Sequence, residues 1–132
     1  MKPLAITCGD PAGVGPELLE TWLRQQSIEA DDIVAIGPWS WLQRLSCSGL
    51  AVGPNDYQLT PGRPDETGQK VALAAMELAA QGTREGRFRA VVSGPIHKKN
   101  MAQAGFTFPG QTEFFAERWS GHPVMALSLI HI

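Results

Sequence analysis

Apolar positions in this chain fall into short continuous runs and longer helical stripes, and the two kinds alternate. Leu4-Ala5-Ile6-Thr7 is a compact run that predicts a buried strand. Three glycines follow in the loop from Cys8 to Glu17. Leu18, Leu19, Trp22 and Leu23 then recur at helical spacing. Pro16 suits the first turn of that helix, where a missing N–H is harmless, and Glu17 complements the positive end of its dipole. Ile33-Val34-Ala35-Ile36-Gly37-Pro38 predicts a second strand and its turn. Residues 39–46 form a short helix with Trp41, Leu42 and Leu45 on one side, and residues 50–52 a third, short strand. Residues 55–65 are rich in Pro and Gly without a period, which predicts an irregular loop and the most mobile segment.

The strongest helical signal spans residues 67–81. Val71, Ala72, Ala74, Ala75, Leu78 and Ala79 make a stripe whose many alanines permit close packing, and Gly82 is expected to end it. A charged turn at 84–89 leads into a β-branched run, Ala90-Val91-Val92, which stops at Ser93-Gly94-Pro95. A short helix at 100–104 closed by Gly105, a turn at 106–110, a helix at 111–119 with Thr112 as its N-cap, and a strand at 124–127 complete the order. Strands alternating with helices predict an α/β fold with a largely parallel sheet and flanking helices.

The pivot of this pattern is Val91-Val92-Ser93-Gly94-Pro95-Ile96-His97-Lys98-Lys99-Asn100. A buried strand there opens into a loop carrying polar, titratable groups. In open α/β sheets ligands bind beyond the carboxyl ends of strands, so this loop is the candidate site. The plainer alternative is a strand-to-helix connection with a solvated Lys98-Lys99 pair. The glycine loop is neither a P-loop, since no Gly-Lys-Ser/Thr follows, nor a dinucleotide fingerprint, since its glycines stand at 9, 13 and 15. A tight turn and an anion contact at the helix N-terminus both remain open for it.

Composition narrows the class. The chain has 132 residues, 43% hydrophobic and 18% charged, with a net charge of −2. That supports one globular domain with a real core and gives no electrostatic case for nucleic acid. No apolar run is long enough to span a bilayer, and the N-terminus lacks a signal-peptide pattern. Cys8 and Cys47 have neither metal spacing nor a disulfide framework, so they are expected to pack as small apolar side chains in a reducing compartment. The expected location is cytoplasmic. The chain stops at Ser128-Leu129-Ile130-His131-Ile132, on an apolar strand without a covering helix; a truncated chain is expected, against the alternative of an edge strand.

Three stretches together resemble a known family. Gly9-Asp10-Pro11-Ala12-Gly13-Val14-Gly15-Pro16-Glu17, Ser93-Gly94-Pro95-Ile96-His97-Lys98 and Pro109-Gly110-Gln111-Thr112-Glu113-Phe114-Phe115 are similar, in order, to the signatures of the 4-hydroxythreonine-4-phosphate dehydrogenases. The resemblance runs from about Leu4 to about Leu127 and covers the first part of such a protein, with the C-terminal portion absent. It implies an isocitrate/isopropylmalate dehydrogenase-like two-domain fold with the active site in the cleft, working as a homodimer. It implies NAD- or NADP-dependent oxidation of 4-phosphooxy-L-threonine in pyridoxal phosphate synthesis, followed by loss of carbon dioxide. A divalent metal (Zn, Mg or Co) held by histidines would polarise the alcohol. A relative acting on a phosphorylated sugar acid or an aromatic dihydrodiol is the close alternative. A non-catalytic phosphate-binding fragment is the other.

Carried onto this chain, the family's substrate-binding His-Thr pair falls on Gln111 and Thr112. Gln111 keeps hydrogen bonding but cannot be protonated. Lys98 is the candidate for phosphate pairing or proton transfer. His97 is a candidate substrate contact, or else a turn residue bonded to a backbone carbonyl. Asp10 faces the cleft or caps its own turn. Glu113, Glu117 and Arg118 are expected as helix-surface pairs. The histidines here, His97, His122 and His131, show no metal-ligand pattern, so no metal ligand and no cofactor-binding residue is assigned, and the 132-residue chain alone is expected to be inactive and prone to self-association.

Overall fold

The computed structural model describes residues 2–26 and 31–121. Its elements are β1 (Leu4–Thr7), α1 (Gly15–Gln25), β2 (Ile33–Gly37), α2 (Trp39–Leu42), β3 (Ser48–Ala51), α3 (Glu66–Arg84), β4 (Ala90–Ser93), α4 (Lys98–Gln103) and α5 (Gln111–Arg118). The expected strand at 124–127 lies outside the described residues.

The strands form one sheet in the order β3-β2-β1-β4, and every pair is parallel. From β1 the chain builds outward through β2 to β3, then returns across the sheet so that β4 lies on the other side of β1. The strand order therefore reverses between β1 and β4. Neighbouring side chains of β1 point to opposite faces, as the pleat requires. Ile6 packs with Leu23 of α1 and Ile33, while Ala5 packs with Val71, Ala75 and Ala79 of α3. Helices thus cover both faces, which fits an all-parallel sheet.

The α3 helix is buried on two sides. Val71, Ala75 and Ala79 meet the sheet, and Ala72, Met76 and Ala80 meet Met101, Phe106, Phe114 and Phe115. Alanine at these positions lets a helix lie close to both layers at once. Asp65 caps it, accepting from the Gly68 N–H. Gly82 does not end the helix, which runs on to Arg84. Its role is space: a Cβ there would stand 2.2 Å from Cε2 of the buried Phe88 ring.

Other boundaries shift. The α2 helix is shorter than expected, β3 begins at Ser48 rather than Leu50, and α4 begins at Lys98 rather than Asn100. Thr112 is not the N-cap of α5; Gly110 holds that place with no side-chain cap, which leaves Thr112 inside the first turn. The apolar stripe of α1 is only partly buried: Leu23 is covered, but Leu18 is 61% and Trp22 42% exposed. Residues 55–65 hold no helix or strand, yet Tyr57 is buried and the Gly62 N–H donates to the Ala12 carbonyl at 2.8 Å. The buried Trp41 indole donates to the Pro16 carbonyl at 3.0 Å, tying α2 to the start of α1.

At the β1–β4 junction the two connecting loops touch backbone to backbone. The Gly94 N–H donates to both the carbonyl and Oγ1 of Thr7, each at 3.1 Å, and the Asp10 N–H donates to the Pro95 carbonyl at 2.8 Å. A Cβ on Gly9 would fall 2.5 Å from the Pro95 oxygen, and one on Gly94 2.7 Å from the Cys8 carbonyl carbon. Gly9 also has φ +70°, in the left-handed region.

Two expected outcomes follow from this packing. Gly62 shares the positive φ of Gly9 but has nothing within 4 Å of a Cβ. Gly62→Ala should then cost only the left-handed strain, about 1–2 kcal/mol. Gly9→Ala should add an overpacking cost of about 1–3 kcal/mol, because the colliding atoms are backbone. Urea unfolding of both variants measures the gap, and equal losses would contradict the close contact.

The second outcome concerns Cys8. Burial pushes its thiol up to about 12, the nearby Asp10 charge adding less. The folded thiol thus keeps its proton where the unfolded one, starting from 9.0, has lost it. Stability should fall as pH rises from about 9 toward 12, with a limiting slope of about 1.4 kcal/mol per pH unit from this group. Cys8→Ala should lose that share of the alkaline slope in urea midpoints taken across the range.

Candidate functional site

The strand order reverses between β1 and β4, and doubly wound sheets bind ligands at the carboxyl ends of the strands beside such a reversal. Two of the three motif stretches leave the sheet there, and the third is fastened to it. Gln111, the first residue of α5, donates from Nε2 to the Gly94 carbonyl at 3.1 Å. Its Oε1 is buried and has no partner. Lys98 lies against the cap of the same helix: a Cβ built on Gly110 would stand 3.8 Å from Lys98 Nζ and 3.2 Å from Glu113 Oε2. Lys98 itself is exposed, so its ammonium is free to meet an anion from solvent.

The sequence-chosen residues divide on this geometry. Asp10 and Gln111 bond to the Gly94-Pro95 turn, and Lys98 lies against the start of α5, whose second residue is Thr112. Asp10 does cap its own turn, with Oδ1 accepting from the Ala12 N–H at 2.9 Å, and it also sits at the mouth of β1. His97 is exposed, and its Nδ1 accepts from the Asn100 N–H at 3.3 Å. It is the N-cap of α4, bonded to a backbone N–H and not to a backbone carbonyl as expected. That cap uses one ring nitrogen in its unprotonated form and leaves the other free. Glu117 and Arg118 do pair, but the closer partner of Arg118 is Glu77 on α3. The guanidinium also lies 3.9 Å from the centroid of the Phe114 ring. Arg118 therefore pins α5 to α3 and is more than a surface charge.

Among the described residues no three His, Cys, Asp or Glu side chains converge as a metal site. His122 and His131 lie outside the described residues. Cys8 and Cys47 are both free, the first fully buried and the second half-buried. Among the described residues no helix is long and apolar enough to cross a membrane.

One residue of this neighbourhood was not singled out from the sequence. Gln69 of α3 is 3% exposed, and its Nε2 donates to Asp10 Oδ1 at 3.3 Å. The signal was present in the helical phase: residues 69, 72, 76 and 80 form one stripe, and its first member is polar where the others are Ala, Met and Ala.

Comparison with known proteins agrees with the motifs. The family model described as pyridoxal phosphate biosynthetic protein PdxA matches residues 13–131. The 4-hydroxythreonine-4-phosphate dehydrogenase of Zymomonas mobilis is 38% identical over a match covering 89% of this chain and 41% of its own length. That of Thioalkalivibrio sulfidiphilus is 35% identical, with 96% and 44% covered. Among solved structures, the 4-hydroxythreonine-4-phosphate dehydrogenase of Klebsiella pneumoniae superposes with a TM-score of 0.78 at 23% identity, over 89% of this chain and 44% of that one. A terephthalate 1,2-cis-dihydrodiol dehydrogenase of Burkholderia xenovorans gives 0.67 at 21%, over 86% and 40%. At these identities the structures speak for the fold. The chain spans less than half the length of the relatives it matches. On the family match and the shared fold, it belongs to the PdxA family of pyridoxal phosphate biosynthetic proteins.

Proposed function

We propose that these 132 residues are the N-terminal part of a 4-hydroxythreonine-4-phosphate dehydrogenase. The complete enzyme oxidises 4-phosphooxy-L-threonine with NAD or NADP to 2-amino-3-oxo-4-phosphooxybutanoate. That β-keto acid decarboxylates to 3-amino-2-oxopropyl phosphate. The observation that carries the proposal is the meeting of all three motif stretches at the β1–β4 reversal, through the Asp10–Pro95 and Gln111–Gly94 hydrogen bonds.

In this role Lys98 supplies a mobile positive charge for the phosphate ester, or serves in proton transfer. Thr112, in the first turn of α5, offers a hydroxyl beside a helix N-terminus, which favours an anionic group. Asp10 and the free ring nitrogen of His97 are further contacts. Gln111 acts as a neutral hydrogen-bonding group through the amide that donates to the Gly94 carbonyl. Among the described residues no group of three His, Cys, Asp or Glu could hold a divalent ion, and none is assigned to the nicotinamide. Both belong, with the homodimer and a cytoplasmic location, to the proposal for the complete enzyme.

Gln111 also favours a second reading. A site with a neutral amide where the family carries an imidazole could serve a relative that oxidises a phosphorylated sugar acid or an aromatic dihydrodiol. The test is steady-state turnover by the protein extended past Ile132, supplied with NAD or NADP and divalent metal. Reduction of the nicotinamide with 4-phosphooxy-L-threonine is expected, and none by the 132-residue chain alone. Turnover only with 4-phospho-D-erythronate or a dihydrodiol would replace the substrate assignment. In the same assay Gln111→His should change KM several-fold, while losing the bond to Gly94 should cost about 1 kcal/mol in urea unfolding. An unchanged KM would remove residue 111 from the binding site.

A further inference from the structure

The least expected polar side chain in the core is Gln69. It occupies an apolar stripe of α3 at 3% exposure, and its Oε1 has no partner. A buried, unsatisfied carbonyl costs about 1–3 kcal/mol, and a methionine would fill similar space without it. Among the described residues the one side-chain hydrogen bond of Gln69 is to Asp10, 59 positions earlier. The amide orientation is fixed by chemistry, since a carboxylate only accepts and the reverse orientation would set two acceptors together.

Asp10 is itself only 8% exposed, and its carboxylate is held on one oxygen. Oδ1 accepts from the Ala12 N–H at 2.9 Å and from Gln69 Nε2 at 3.3 Å. Its own backbone is tied down as well: the Asp10 N–H reaches Pro95, and the Asp10 carbonyl accepts from the Gly13 N–H. Among the described residues Oδ2 takes no hydrogen bond and is not among the sealed, unpartnered atoms. No Lys, Arg or His stands within 4.0 Å of the carboxylate among the described residues, so its charge is balanced only by neutral donors. The result is a carboxylate clamped at one oxygen and open at the other, at the mouth of the crevice.

We propose that Gln69 is a positioning residue: it fixes the Asp10 carboxylate so that Oδ2 faces the β1–β4 crevice and accepts from a donor group, ammonium or hydroxyl, on the carbon chain of a phosphorylated acid. The inference deepens the proposed function and rests on it for the class of ligand. It divides the site into an anion side around Lys98 and a donor-recognising side at Asp10. Gln69 touches no ligand and acts through Asp10.

The test is calorimetric titration of the protein extended past Ile132 with 4-phosphooxy-L-threonine, with inorganic phosphate as the reference for the anion side. Gln69→Met and Asp10→Asn should each weaken 4-phosphooxy-L-threonine by about tenfold, the worth of one charge-assisted hydrogen bond. The double variant should lose no more than the larger single loss, because both changes remove one interaction. Affinity for inorganic phosphate should stay within about twofold in all variants, because phosphate does not use the Asp10 side and independent sites do not couple beyond that margin. A purely structural role would lower both affinities together and would overturn the proposal. So would single losses that multiply in the double variant. If Gln69→Met gives no cooperative urea transition, Gln69→Asn replaces it, since a side chain one methylene shorter withdraws the donor while keeping the amide. Uptake of 4-phospho-D-erythronate alone, with the same dependence on residues 10 and 69, would uphold the positioning role and overturn the amino-acid substrate. Uptake of none of these ligands by the extended wild-type protein would overturn the positioning role, and its turnover with 4-phosphooxy-L-threonine decides the proposed function separately.

Discussion

The structure depends on one close approach. Where β1 and β4 end, the backbones of residues 8–9 and 94–95 touch with no room for a side chain between them. A methyl group on Gly9 or Gly94 would overlap backbone atoms that cannot swing away. Gly15 belongs to the same contact, since a Cβ there would stand 2.8 Å from the Cys8 oxygen. Parallel strands cannot be joined by a tight turn, so the residues that bring these ends together must be recruited from three distant parts of the chain. The glycines of the first two motifs make that meeting possible, and this is a steric requirement before it is a catalytic one.

From that contact outward, α3 sets the spacing of the layers. It carries alanine toward the sheet and a mixed Ala-Met stripe toward α4 and α5, so both layers pack directly on its backbone. The Glu77–Arg118 ion pair, the Arg118–Phe114 contact and the bond from the Trp119 indole to the Ala80 carbonyl then fix the angle of α5. Gln111 at the other end of α5 reaches Gly94. The third motif is therefore held at both ends of its helix, one against α3 and one against the crevice. Residues far from the crevice can shift its geometry through this route.

How much of this was legible in the sequence follows from the range of each interaction. β1, β2, β4 and α3 were readable because their signal is local: continuous β-branched runs, and an alanine stripe at helical period. The candidate residues Asp10, Lys98, Gln111 and Thr112 were found as members of motifs, and hydrogen bonds tie Asp10 and Gln111 to the same Gly94-Pro95 turn. What failed were inferences that treated a residue's local habit as its role. Gly82 was read as a helix stop, but its missing side chain makes room for Phe88. Thr112 was read as a cap from its type, whereas the extended residue before the helix is Gly110. The Glu77–Arg118 and Gln69–Asp10 pairs span 41 and 59 positions, and no local pattern encodes such a distance. Only the helical phase hinted that Gln69 faces inward.

The partial match in length constrains how the crevice should be viewed. A parallel sheet is ordinarily covered on both faces, yet Leu18 and Trp22 of α1 and Val92 of the edge strand β4 remain substantially exposed. Those surfaces are separate from the crevice, whose own contacts are complete within these residues: two loops bonded to each other, a helix fastened to them, and a carboxylate held on one oxygen. An exposed lysine and a carboxylate bonded on one oxygen thus stand on the loops and helix of the β1–β4 junction, which sterics and hydrogen bonding hold together.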